Sequence, residues 1–247
     1  MNPAYFDHVW SLFAAGVVSS VLAVLALRRR GAPGAVPFAI LMFGLAVWAV
    51  PDAFFQMSDA ARWQHLWTKV EYIGIALVPL FWVTTALAYT GKGALLTRRR
   101  IAYASIIPFI TIILTWSFES HSLIYQDYLF FREDGRLRLD ITYGPWWWIN
   151  AAYSYLLLIW GAGLFLMAAS RSFFVYRSQA IALLIGIILP VVGNVLHIFR
   201  IGSFGSIDPT PFTFALAGFP LGWAIFRFRL FDLTPVAREA VFEGMED

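Results

Sequence analysis

Seven runs of mostly apolar residues recur along the 247-residue chain, near 6–27, 35–55, 66–89, 101–117, 146–169, 180–198 and 211–229. Each is close to the ~20 residues an α-helix needs to cross the hydrocarbon core of a bilayer. In that core every backbone N–H and C=O must be satisfied internally, so apolar runs of this length read as helices. Composition agrees, with 60% hydrophobic and 13% charged residues, against about 45–50% and about 25% in a soluble domain. A soluble globule, a disordered chain and a collagen-like chain are thereby excluded. The 11 tryptophans point the same way, because Trp favours bilayer interfaces. There is no cysteine, which removes disulfides, thiolate metal sites and cysteine nucleophiles. The expected fold is an all-α integral membrane protein, a bundle of seven transmembrane helices.

The net charge of +3 divides into two unlike halves. Segments 28–34, 90–100 and 170–179 and the tail from Phe226 carry 12 of the 18 basic residues and 5 of the 15 acids, a net of +7. The alternate loops, with the adjoining helix ends, carry 6 basic and 10 acidic residues, a net of −4. Positive loops stay cytoplasmic, so the N-terminus is expected outside and the C-terminus in the cytoplasm. The basic balance is a topology signal and implies no nucleic acid. The first run is expected to remain as a span: Asp7 and His8 stand at its start and Arg28–Arg30 follow it, the reverse of a signal peptide. Residues 1–229 are expected to form the membrane domain, and 230–247 a cytoplasmic output or linker helix that stops before any effector.

Two stretches outside the spans carry information. In 118–144, two β-rich runs flank Asp134-Gly135, a pair that supplies the left-handed backbone of a tight turn. An extracellular β-hairpin over the outer mouth is expected, with an irregular loop as the other reading. In the tail, Thr234 can cap a helix that has Pro235 at its first position, and Ala237, Val241 and Met245 share one face. This reads either as an output helix entering a further domain or as a short interfacial helix.

Helix direction turns the sequence numbers of polar residues into depth. Asp52 and Gln56 fall at the outer end of helix 2. Trp67 and Glu71 fall in the outer turns of helix 3, Glu71 about 6 Å deeper at ~1.5 Å rise per residue. Trp146 opens helix 5 with Asn150 one turn below, Asn194 and His197 lie near the outer end of helix 6, and Asp208 and Thr210 begin helix 7. Intramembrane polar side chains normally face the bundle interior or a watered cavity. Five helices agreeing in depth therefore describe a cavity open outward and closed below. The candidate ligand-binding residues are Glu71, Asn150, Asn194, Trp67, Asp52, Tyr72, Trp146, His197 and Asp208. Each also has a plainer reading. Glu71 could pair with Lys69 or snorkel, Asp52 could be solvated near the surface, and Trp146 could belong to an aromatic belt. Asn194 could hydrogen-bond a neighbouring helix, His197 could sit at the interface, and Asp208 could cap a helix. Pro190 removes a hydrogen bond within helix 6 and predicts a kink below this polar level.

Glu71-Tyr-Ile-Gly-Ile with Pro79 and Trp82, Tyr89-Thr-Gly, Tyr143-Gly-Pro-Trp, Tyr153-Ser-Tyr, Tyr176-Arg-Ser-Gln, Pro190 with Asn194, Asp208-Pro-Thr-Pro and Asp232-Leu-Thr-Pro-Val-Ala-Arg recur in a characteristic order. In that order the chain resembles, over nearly its whole length, the N-terminal seven-transmembrane sensor region of bacterial and archaeal histidine kinases. The resemblance implies a sensor that precedes a PAS domain, a dimerising phospho-acceptor helix pair and an ATPase domain, or a diguanylate cyclase. It implies a homodimer through the cytoplasmic output region and a multi-pass protein of the inner (cytoplasmic) membrane. No effector follows residue 247 in this sequence, so no catalytic role is expected of these residues.

Other classes fit less well. The only lysines, Lys69 and Lys92, are not in helix 7, where a retinal Schiff base would be needed. Paired buried aspartates, His-Glu-x-x-His and Gly-x-Ser-x-Gly are absent from the sequence, against an intramembrane protease. A small-molecule transporter or channel is the alternative, although its polar groups would be expected near the midplane. The reading adopted is a sensor with no cofactor and no metal, surrounded by membrane lipids. A small organic ligand with an aromatic or cationic part enters its outer cavity, and helix 7 carries the change inward.

Overall fold

The computed structural model describes the backbone of residues 3–32, 34–133, 136–172, 177–198 and 209–227, and side chains within 8–32, 34–132, 137–170, 181–193 and 209–223 except that of residue 138. The described residues form eight α-helices and one small sheet. The helices are α1 Pro3–Arg28, α2 Ala35–Met57, α3 Ala61–Tyr89, α4 Arg98–Ala104, α5 Ile106–Trp116, α6 Pro145–Ser172, α7 Arg177–Ile198 and α8 Thr210–Arg227. Between α5 and α6 lie β1 Tyr125–Glu133 and β2 Arg136–Tyr143.

The fourth apolar run is two helices rather than one, and the sequence contains the reason. Pro108 has no N–H for the carbonyl four residues back, that of Ala104. The helix breaks at Ser105, and the freed Ala104 carbonyl accepts a 2.6 Å hydrogen bond from the Tyr153 hydroxyl of α6. An unmet carbonyl in an apolar medium costs several kcal/mol, so this bond ties α6 to the α4–α5 column.

Each helix packs on the next: α1 on α2, α2 on α3, α3 on α5 and α6, α6 on α7, α7 on α8, and α8 back on α1. The ring is therefore closed. Among the described residues, five helical segments are long and apolar enough to cross a membrane: His8–Arg28, Ala35–Met57, Ala61–Tyr89, Arg98–Trp116 and Pro145–Ser170. In α7 the part described with its side chains, Ile181–Gly193, is apolar and lies within the longer run 180–198. Large apolar side chains such as Val17, Phe109, Ile113 and Leu156 are exposed on the outside of the ring, as a lipid-facing surface requires. The interior is filled by Phe38, Leu41, Met42 and Leu45 of α2, Val78 and Trp82 of α3, Phe165 of α6, Leu183 of α7 and Leu221 of α8. Small residues bring the backbones close. A Cβ on Gly74 of α3 would stand 2.5 Å from the Gly44 carbonyl oxygen and 2.6 Å from the Trp48 nitrogen of α2. One on Gly161 of α6 would run into the Trp82 indole.

The expected hairpin is present. Strands β1 and β2 pair antiparallel, from Tyr125 opposite Tyr143 to Glu133 opposite Arg136, with an irregularity between Tyr125 and Asp127. Asp134 and Gly135, and the expected tail helix with Thr234, lie outside the described residues. Side chains alternate along β1, with Leu129 and Phe131 exposed and Tyr128 and Phe130 turned onto His65. The start of α3 anchors this ribbon. Gln64 donates to the Leu137 carbonyl oxygen at 3.2 Å, and Lys69 donates to Glu119 at 2.6 Å. Burial alone would raise the Glu119 carboxyl; the Lys69 hydrogen bond, backbone bonding and the charges of Lys69 and His65 outweigh it and hold the group below the usual carboxylate range. The Lys69–Glu119 pair takes Lys69 to the loop before the hairpin.

Candidate functional site

Beneath the hairpin a cavity of about 470 Å³ opens between the helices. Glu71, Tyr72, Ile75, Val78, Pro79 and Trp82 of α3 form one wall, at the spacing of a single helix face. Trp147, Asn150, Ala151, Ser154, Leu158 and Ala162 of α6 form the facing wall. Trp48 of α2, Ile187, Pro190 and Val191 of α7, and Thr210 and Phe214 of α8 complete the sides. Tyr125, Ile141 and Tyr143 of the hairpin contribute from above. At the far end Trp82 closes the space, held edge-on to Phe165 at 5.1 Å and to Phe214 at 5.8 Å. Its indole N–H donates to the Leu158 carbonyl oxygen at 3.1 Å.

The cavity is graded. Its hairpin end holds Glu71, Asn150 and the tyrosines, and its far end is aliphatic and aromatic. Asn150 is 5% exposed, and its orientation is set by a relay. The Trp146 indole N–H donates to Thr111 Oγ1 at 2.9 Å, and the single Thr111 hydroxyl proton is shared between the Ile107 carbonyl oxygen at 2.8 Å and Asn150 Oδ1 at 3.1 Å. From this position Asn150 lines the cavity wall. Ser154, one turn on, has its hydroxyl buried without a hydrogen-bond partner among the described residues. Tyr72 packs edge-on to Tyr125 at 6.3 Å, within a cluster that includes Phe118 and Ile124. Burial pushes the Tyr125 phenol well above its ordinary range, and the nearby Tyr72 and the negative charge of Glu71 add to that. Glu71, Tyr72 and Tyr125 thus share the lining of one cavity.

The expected site residues do not all meet. Glu71, Tyr72 and Asn150 share the cavity wall. Trp146 does not line it, but acts on Asn150 through Thr111. Trp67 stacks on Phe54 of α2 at 4.7 Å, away from the wall. Asp52 is also away from it, and its side chain is buried. It is 8% exposed, and Gln56 donates to its Oδ1 at 3.2 Å. One helix turn separates Asp52 from Gln56 along α2. Asn194 and His197 fall on the last turns of α7 with side chains outside the described residues, and Asp208 lies outside them altogether. Pro190 lies within α7 and lines the cavity.

Sequence reasoning missed the hairpin's share of the wall, Tyr125, Ile141 and Tyr143, and it missed Thr111 and Ser154. The alternation that predicts the hairpin also assigns one face of it inward, and that face could have been carried through to the cavity. Nothing in the sequence signals that Thr111 would stand between Trp146 and Asn150, since that needs the packing of α5 on α6.

A closed helical ring with several bilayer-length apolar helices, a two-stranded ribbon at one end and a graded cavity beneath it defines a multi-pass membrane protein. Residues 11–235 match the family described as the N-terminal 7TM region of histidine kinase, and the chain belongs to that family. It is a sensor region of these kinases and not itself their catalytic part. No curated protein matches the chain.

Proposed function

We propose that this chain is the input domain of a histidine kinase or similar signalling protein in the inner membrane. Seven spans put the N-terminus and hairpin outside and the C-terminus in the cytoplasm. A small organic ligand binds the cavity through Glu71, Asn150 and the aromatic roof, and the last helix passes the change to a dimeric output region.

The observation that carries this reading is the cavity itself. One carboxylate, one amide and a buried hydroxyl line a largely apolar and aromatic space, the usual composition of a small-molecule site. Its wall includes residues of both α7 and α8, so a ligand touching Pro190, Thr210 and Phe214 acts on the two helices nearest the output. It can shift their packing only by the difference in its affinity for the two arrangements. Pro190 leaves the Gly186 carbonyl without its helical donor, which makes α7 a natural place for two packings.

The test fuses the chain to a histidine kinase effector and fills the cavity with Ser154→Trp. Autophosphorylation in membranes is expected to lose its response to added cell extract while the protein stays folded. Gly163→Ala, where a Cβ meets nothing within 4 Å, should keep that response. An unaltered response in the Ser154→Trp protein would contradict the proposal.

A further inference from the structure

Besides Tyr143 on the hairpin, which is 41% exposed, three of the cavity's wall residues on the helices are also part of the outer surface of the ring. Tyr155 is 39% exposed, Ile159 69% and Val191 52%, yet all three line the cavity. A wall residue that is also surface marks an opening. Tyr155 and Ile159 are on α6 and Val191 is on the adjacent α7, so the opening lies between these two helices. Ile159 stands about 21 Å along α6 at ~1.5 Å per residue, near the middle of a helix long enough to span a bilayer. The surface around it is apolar, with Leu156 and Ile188 both exposed. An entrance at that depth faces acyl chains, not water.

Charge selects what could use it. Glu71 is the one acidic or basic side chain among the described wall residues, and it lies at the end where the Tyr143 and Trp147 rings gather. Carboxylate and aromatic faces together favour a cation, the rings through their quadrupoles. We infer that the cavity admits, sideways from the bilayer between α6 and α7, a single-chain amphiphile with a cationic amine head. The head lies against Glu71 and the Tyr143–Trp147 aromatics, and the alkyl tail passes Ile159 and Val191 to the lipid. This rests on the sensing reading and adds to it the ligand class and the route of entry.

The experiment places the chain in phosphatidylcholine nanodiscs with hexadecylamine carrying a diazirine in its tail. Photolabelled positions are then mapped by mass spectrometry. Adducts are expected to concentrate on Ile159 and Val191 over Leu156 and Ile188. They should fall about tenfold in Glu71→Gln, the loss of one charge-assisted hydrogen bond, and similarly in Val191→Trp, which blocks the opening. Leu156→Trp, on the lipid face, should leave them unchanged. The equally long diazirine alcohol should label Ile159 and Val191 no more than it labels Leu156; labelling equal to that of the amine would overturn the cationic head. Labelling spread evenly over the exposed residues, and indifferent to Glu71, would overturn the lateral route. If water-soluble phenethylamine then quenched tryptophan fluorescence in a Glu71-dependent way, the cavity would still be a ligand site, filled from water. Absence of Glu71 dependence with both probes would overturn the cavity's ligand role as well.

Discussion

Thr111 Oγ1 accepts the Trp146 indole proton and shares its own proton between the Ile107 carbonyl and Asn150 Oδ1, so one buried hydroxyl connects the first turn of α6 to the amide on the cavity wall. Thr111→Val keeps the shape and removes both bonds. Interhelical hydrogen bonds in membranes average ~0.6 kcal/mol, so a loss of about 1 kcal/mol is expected for the pair. It should appear as a lowered unfolding midpoint in detergent that Thr111→Ser restores; an unchanged midpoint would show that the relay has no energetic weight. At this scale the sequence is only partly legible. Glu71 and Asn150 stand out because polar groups in apolar helices are costly and must face something. The same argument also selects Asp52 and Trp67, which meet Gln56 and Phe54 of α2 instead of the cavity. Depth can be read from helix direction, but azimuth around the helix cannot. It is azimuth that separates the cavity wall from the α2–α3 seam.

Elements are far more legible, because bilayer length and hydropathy leave little choice. The seven apolar runs coincide closely with the helices observed, and the strand alternation around Asp134-Gly135 yields a paired hairpin. The exception is the run at 101–117, where Pro108 acts three residues upstream at Ser105 and a tyrosine from another helix repairs the break. A hydropathy window averages over such a break. The crossing of α2 on α3 depends on Gly74, whose missing Cβ leaves room for backbone atoms that cannot turn aside. Gly74→Ala should destabilise the protein by ~1–3 kcal/mol, as overpacking does, whereas Gly163→Ala has free space and should be close to neutral. Comparing folded yield and thermal midpoint of the two variants checks this, and equal behaviour would contradict the close crossing.

For the whole molecule, orientation rests on the charge difference between the two sets of loops, which no packing contact encodes. Leu129 on the hairpin and Arg99 at the start of α4 are both exposed, and the sequence offers no competing cysteine. Cysteine at Leu129 should react with an impermeant maleimide on intact cells, while cysteine at Arg99 should react only after lysis; the opposite pattern would invert the molecule. The central claim is that the cavity holds a ligand through Glu71. It is tested most directly by native mass spectrometry of the gently purified protein beside its Glu71→Gln variant, after matching the two for thermal stability. The account predicts a small organic species retained at near-equal stoichiometry by the wild-type chain and lost from the variant. Equal retention by both, or no species on either, would contradict it.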